Sequence, residues 1–202
     1  ALGQAAEGKR VVAVAGTHGK TTTTAMIGKI LADAGLDPTV VVGSISIDFE
    51  SNFRAGASDI FVVEACEYRK HFLTFHPEVL VITNVEWDHT DYFKTPEEFS
   101  AAFEEAASQA THVVRKEQYE NERVPTLRLP GEFNTDNARA AKAAVKMLVP
   151  GISETVVDKA LETFRGTWRR FERKGILPGG ALLIDDYAHH PTEIKKTLKA
   201  FR

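Results

Sequence analysis

Apolar residues fall into short, near-continuous runs separated by longer amphipathic stretches, a rhythm that predicts alternating strands and helices. Arg10–Ala15 reads as a strand and Thr21–Ala34 as a helix closed by Gly35. Thr39–Gly43, Ile60–Glu64 and Val79–Thr83 read as further strands, and Thr111–Arg115 as a short one. Helices are predicted over Pro96–Gln109, with proline in the first turn, and over Asn134–Leu148 and Ser153–Phe164, which Pro150-Gly151 separates. Arg170–Lys174 and Ala181–Asp185 are strand candidates on either side of Leu177-Pro178-Gly179-Gly180, the strongest breaker in the chain. Pro191–Arg202 begins a last helix. Runs of valine and isoleucine without strict alternation imply strands covered on both faces. The expected fold class is α/β, a mostly parallel central sheet flanked by helices. The expected division is 1–175 for a first domain and 176–202 for the start of a second.

Composition narrows this modestly. The 202 residues leave room for one full domain and part of another. A net charge of −3 argues against electrostatic capture of nucleic acid. Cys66 is the only cysteine, which rules out an internal disulfide and fits a reducing compartment. No apolar run is long enough to cross a bilayer, and no basic-then-apolar leader opens the chain, which starts at Ala1. The expectation is a soluble cytoplasmic protein with neither nucleic acid nor membrane as partner.

The chemistry gathers where strands end. Val11–Ala15 runs into Gly16-Thr17-His18-Gly19-Lys20-Thr21-Thr22 and then a helix. A strand ending in a glycine-flanked turn at a helix N-terminus aims backbone N–H groups and the positive end of the dipole at one anion. Lys20 supplies a mobile cation for terminal phosphates, and the Thr21 hydroxyl suits Mg²⁺. The match is to a shortened phosphate loop (P-loop), because Val14 stands where the general pattern asks for glycine. Such a loop binds a nucleoside triphosphate.

In an open α/β sheet, ligands lie beyond the carboxyl ends of the strands, and three further ends are polar here. Glu64, Cys66 and Glu67 follow the third strand, Thr83-Asn84 with Asp88-His89 follow the fourth, and Asp185-Asp186-Tyr187-Ala188-His189-His190 follow the last. Glu64 follows a buried run, where a carboxylate is costly unless paired or on a metal; a surface loop is the bland alternative. Asp88-His89 reads equally as a turn cap. Adjacent His189 and His190 do not present both rings to one ion, so a dedicated zinc site is not expected. Arg169-Arg170 suits an anion clamp or a solvated basic turn. Asn134 reads as an N-cap, or with Asn137 as one face that reads a base edge.

These motifs, with Arg169-Arg170-Phe171-Glu172 and Asp185–Pro191, occur in the same order in the Mur ligases, and the chain resembles that family from about Arg10 to Arg202. Mur ligases are ATP-dependent amide-forming enzymes that build the peptidoglycan peptide, so the resemblance implies roles in cell wall, cell shape and division. It implies ATP and Mg²⁺ as cofactors. Lys20 would hold the β/γ-phosphates; Thr21 and Glu64 one Mg²⁺, with His89 helping to hold a second. Asn134 and Asn137 would contact adenine, Arg170 the phosphates and Asp186 the ribose, while His190 and Tyr187 would lie near the reacting groups.

The stretch Phe103-Glu104-Glu105-Ala106-Ala107 holds no lysine, where ligases that add later residues carry a carbamylated one. That favours the branch joining L-alanine to UDP-N-acetylmuramate, or its relative that recycles murein tripeptide. A nucleotide-driven binding module without ligase activity is the reading from another class. Phe133 replaces the family's histidine in Gly-x-His-Asn, and Ala110–Gly131 is shorter than the family usually is. By resemblance the chain is the central ATP-binding domain with the first strand and helix of a C-terminal Rossmann-like domain, a fragment expected to bind ATP without forming amide alone.

Overall fold

The computed structural model describes residues 1–201. A short helix α1 (Leu2–Ala5) precedes β1 (Arg10–Ala15), α2 (Lys20–Asp33), β2 (Thr39–Ser46), β3 (Ser51–Arg54) and β4 (Ile60–Glu64). A 3-10 segment (Tyr68–Thr74), β5 (Val79–Ile82), α3 (Pro96–Ser108), β6 (His112–Val114) and α4 (Lys116–Tyr119) follow. Then come α5 (Glu132–Leu148), α6 (Glu154–Thr163), β7 (Glu172–Ile176), β8 (Leu182–Asp185) and α7 (Pro191–Lys199).

Six strands form one sheet in the order β3-β2-β4-β1-β5-β6, parallel throughout except for β3. Alternate side chains of each strand go to opposite faces. Val12, Val14, Val62, Val79 and Val81 pack under α2, α5 and α6, while Val11, Ala13, Val63, Leu80 and Ile82 pack under α3 and the 3-10 segment. Burial on both faces is why the strands lack an alternating pattern. The packing between α2 and the sheet is close. A β-carbon on Gly28 would meet the Val40 methyls at 2.8 and 2.9 Å. Gly28→Ala is therefore expected to cost roughly 1–3 kcal/mol of stability by urea unfolding, despite alanine's better helix propensity.

Four elements were not anticipated: α1, β3, the 3-10 segment and α4. β3 is a four-residue antiparallel edge strand with Phe53 exposed, and α4 is a single turn. Helix α5 starts two residues before the predicted Asn134, and its N-cap is Gly131, which removes the N-cap reading of Asn134. The last helix spans Pro191–Lys199; Arg202 lies outside the described residues.

β7 and β8 pair antiparallel in a separate two-stranded sheet, and Leu177–Gly180 makes their turn. The expected division at 175/176 thus falls inside β7, so the C-terminal segment begins as a paired ribbon. Its apolar residues are uncovered among the described residues: Ile176 is 70% exposed and Leu198 61%. No described helix is long and apolar enough to cross a membrane.

Candidate nucleotide site

After β1 the chain turns through Gly16 (φ 130°) and Gly19 (φ 80°), both in the left-handed region that favours glycine. Neither position has space for a side chain. A β-carbon at Gly16 would fall 2.1 Å from Thr83 Oγ1, and one at Gly19 would fall 2.3 Å from Asn137 Oδ1. The segment after β5 clamps the turn. Thr17 N–H donates to Asn84 O (3.1 Å), His18 N–H to Asn84 Oδ1 (3.0 Å), and the Thr83 hydroxyl to His18 O (2.6 Å). The Thr17 hydroxyl donates to Glu86 O and accepts from Glu86 N–H.

That clamp leaves a specific set of donors for a ligand. Thr23 N–H is the first in α2 to reach back, to Gly19 O at 3.0 Å. The N–H groups of Lys20, Thr21 and Thr22 therefore have no acceptor within the helix. They sit at the positive end of its dipole, which makes the mouth of α2 an anion site.

Carboxylates line one side of this mouth. Glu64, at the end of β4, accepts from the Thr21 hydroxyl at 3.1 Å and from Gly43 N–H at 2.6 Å. Glycine at position 43 is what lets that carboxylate lie against β2, since a β-carbon there would clash with it at 2.5 Å. Glu67 is 1% exposed and pairs with Lys20 Nζ (2.9 Å) and His89 Nε2 (3.2 Å) through Oε1. Its other oxygen, Oε2, is buried without a hydrogen-bond partner. His89 holds its place on a left-handed backbone (φ 52°).

The opposite side is a cavity of about 250 Å³ whose lining includes His18, Thr21, Tyr119, Asn137, Asp186 and Glu193. The Tyr119 hydroxyl donates to Thr83 O at 2.9 Å, and burial pushes its pKa up to about 12. Phe133 and Arg170 also line the cavity, and Arg170 reaches the Thr21 hydroxyl at 3.4 Å. Asn137 faces the cavity and accepts from the Thr23 hydroxyl at 3.4 Å. Asn134 instead donates from Nδ2 back to Pro130 O (2.7 Å), just before the start of its own helix. Asp186 accepts from Phe171 N–H (2.7 Å) and Ala188 N–H (2.8 Å). Tyr187 lies over the guanidinium groups of Arg169 and Arg170, at 5.1 and 5.3 Å.

α7 closes this side. The rings of His18 and His190 stand 4.7 Å apart, His18 meets Glu86 (3.3 Å) and Glu193 (3.2 Å), and the Thr192 hydroxyl donates to Glu86 at 2.7 Å. Burial opposes ionisation of Glu193, but its bond to His18, the charge of that ring and the N–H groups of His189 and His190 outweigh it, holding the carboxyl down at about 2. A carboxyl held below its ordinary 4.5 stabilises the docked state above that value and loses this contribution as pH falls towards 2. The protection factors of the α7 amides, exchange rates taken relative to the unstructured chain at the same pH, are therefore expected to fall across that window in the native chain and to change less in Glu193→Gln.

His18, Glu86 and His190 place one ligand atom each within 4.8 Å of one another. Their hydrogen bonds are already committed, however: His190 Nδ1 accepts from Thr192 N–H, and Glu86 Oε2 from the Thr192 hydroxyl. The cluster is a closed network that ties α7 to the phosphate loop.

Comparison with known proteins agrees with this geometry. Residues 14–112 match the Mur ligase middle domain. The UDP-N-acetylmuramate–L-alanine ligase of Desulfitobacterium hafniense is 38% identical over 247 residues, covering 100% of this chain and 54% of that protein. This chain belongs to the Mur ligase family. The corresponding ligase of Roseiflexus castenholzii is 37% identical over 260 residues, covering 96% of this chain and 54% of that protein. The crystal structure of UDP-N-acetylmuramate-alanine ligase from Thermotoga maritima superposes with a TM-score of 0.83 at 30% identity, covering 98% of this chain and 55% of that one. This Mur ligase chain thus spans about half the length of the relatives it matches. At least 45 positions of the Desulfitobacterium alignment have no counterpart in its 202 residues.

Glu67, Glu86 and Glu193 are the site residues that sequence reasoning did not assign. Glu67 had a signal, since it lies three residues after Glu64 beyond the same buried strand. Glu86 had the signal of lying in the polar stretch that follows β5; Glu193 had none, because its role depends on α7 docking across the loop.

Proposed function

We propose that this chain is the nucleotide-binding core of an ATP-dependent ligase that joins L-alanine to UDP-N-acetylmuramate. The observation that carries the reading is the buried, half-satisfied carboxylate of Glu67 beside Lys20 at the mouth of a phosphate loop. A buried carboxylate oxygen without a partner is costly, and a hard dication satisfies it. The oxygens of Thr21, Glu64 and Glu67, with His89, fit Mg²⁺. When bound, that ion neutralises charge on the phosphate oxygens.

A carboxylate is a poor electrophile. Moving the γ-phosphoryl of ATP onto it creates an acyl phosphate that the amine of alanine attacks, expelling phosphate. The protein's part is mainly position and charge. In this reading the first-turn N–H groups of α2 hold the phosphates and Lys20 swings from Glu67 to the terminal ones. Arg170 approaches from the β7 side, Asn137 and Phe133 border the base, and Asp186 receives the ribose. Asn134 acts through Asn137, to which it is joined at 3.4 Å. His190 lies near the reacting groups. The uncovered apolar residues of the hairpin and α7 fit the start of a C-terminal domain, residues 176–202, and nothing in the site calls for nucleic acid or membrane. A cytoplasmic location follows from the substrates.

The absence of lysine from residues 103–107 supports the alanine branch over ligases that add later residues. The test is ADP release by the protein that contains this chain. Release that needs both UDP-N-acetylmuramate and L-alanine supports the reading. Release with murein tripeptide in place of alanine assigns the recycling reaction, and hydrolysis that needs neither assigns a nucleotide-driven switch.

A further inference from the structure

α7 is held on the phosphate loop by polar contacts. None of its residues is buried, and Ile194 and Leu198 remain exposed. Glu193 is the centre of the contact. Its Oε2 is anchored from behind by the N–H groups of His189 (3.3 Å) and His190 (3.4 Å). Its Oε1 therefore faces forward, to His18 Nδ1 at 3.2 Å and towards Arg170 Nη1 at 3.9 Å, in the cavity that it lines with Gly19, Thr21 and Thr22. A carboxylate in that position engages the side chains flanking the anion site.

We propose that Glu193 sets the discrimination between nucleoside triphosphate and diphosphate at this site: its carboxylate holds His18 and Arg170 until a terminal phosphate displaces it from both. The inference rests on the nucleotide reading given above. A diphosphate lacks the group that competes for His18 and Arg170, so it leaves the Glu193 contacts standing. A triphosphate breaks them, and binding the third phosphate is opposed by the energy of those contacts. Removing the charge therefore favours the triphosphate selectively.

Calorimetric titration of residues 1–202 with Mg·ATP and with Mg·ADP tests this. Glu193→Gln keeps the shape and an acceptor for the backbone N–H groups. It is expected to tighten Mg·ATP about fivefold, with Mg·ADP changed by less than about twofold, in line with the loss of one carboxylate that competes with the terminal phosphate for His18 and Arg170. Thr192→Val removes the Thr192–Glu86 bond and leaves the Glu193 carboxylate, so it controls for general loosening of α7 and is expected to keep the native ATP-to-ADP ratio. Equal changes for both nucleotides, weaker ATP binding in Glu193→Gln, or the same selective gain in Thr192→Val would overturn the proposal. A native chain that binds ADP and ATP but shows no gain on Glu193→Gln rejects this inference alone. A native chain that binds neither rejects the nucleotide reading and the inference with it.

Discussion

Lys20→Ala is expected to weaken Mg·ATP binding by roughly 2–4 kcal/mol, because phosphate charge then sits in a partly desolvated mouth without its mobile cation. Lys20 stands at the first turn of α2, and its Nζ also donates to Thr17 O at 3.3 Å, so it is already folded over the loop. Moving it onto a phosphate needs rotation of the side chain and no change in backbone. Calorimetry on a variant shown to be folded by circular dichroism checks the figure. Unchanged affinity would remove the phosphate-loop reading, whatever the rest of the site looks like.

The same lysine has a second duty that predicts a stability effect of similar size. Glu67 is 1% exposed, and Lys20 is its nearest cation, at 2.9 Å. Breaking a buried pair by deleting one partner costs roughly 3–5 kcal/mol, because the remaining charge is stranded. Lys20→Met without nucleotide is thus expected to lose stability at the upper part of that effect only if Glu67 stays a carboxylate. Lys20→Met combined with Glu67→Gln should recover most of the loss, leaving a coupling energy of about 2–3 kcal/mol in a double-mutant cycle. Urea unfolding of the four chains measures it. Additive single-variant effects would mean that Glu67 is solvated or otherwise neutralised, and that its orphaned oxygen is no argument for a dication.

Much of this architecture was legible in the chain, for identifiable reasons. β1, β4 and β5 lie in the sheet interior, so their apolar runs stand out, and the Gly16–Thr21 turn needs glycines wherever a side chain would strike Thr83 or Asn137. β3 escaped because Ser51-Asn52-Phe53-Arg54 has no strand pattern of its own; pairing with β2 makes it a strand. α4 is too short for helical periodicity, yet it delivers Tyr119 to the cavity wall. Spacing put Asn134 and Asn137 on one helix face, and the two do bond to each other at 3.4 Å, but only Asn137 lines the cavity, while Asn134 reaches back to Pro130 O. Glu193 was illegible for a different reason: it lies at the far end of the chain from His18, and only the docking of α7 joins them.

Thr21, Glu64, Glu67 and His89 are proposed to hold a dication against a nucleotide seated on the loop at Gly16–Thr22. The most direct measurement is a crystal structure of residues 1–202 with Mn²⁺ and a non-hydrolysable ATP analogue, with manganese located by anomalous scattering. The analogue's phosphates are expected on the N–H groups of Lys20–Thr22, and manganese beside Thr21 and the two carboxylates after β4. Manganese at His18, Glu86 and His190 instead, or a nucleotide seated away from the loop, would contradict it.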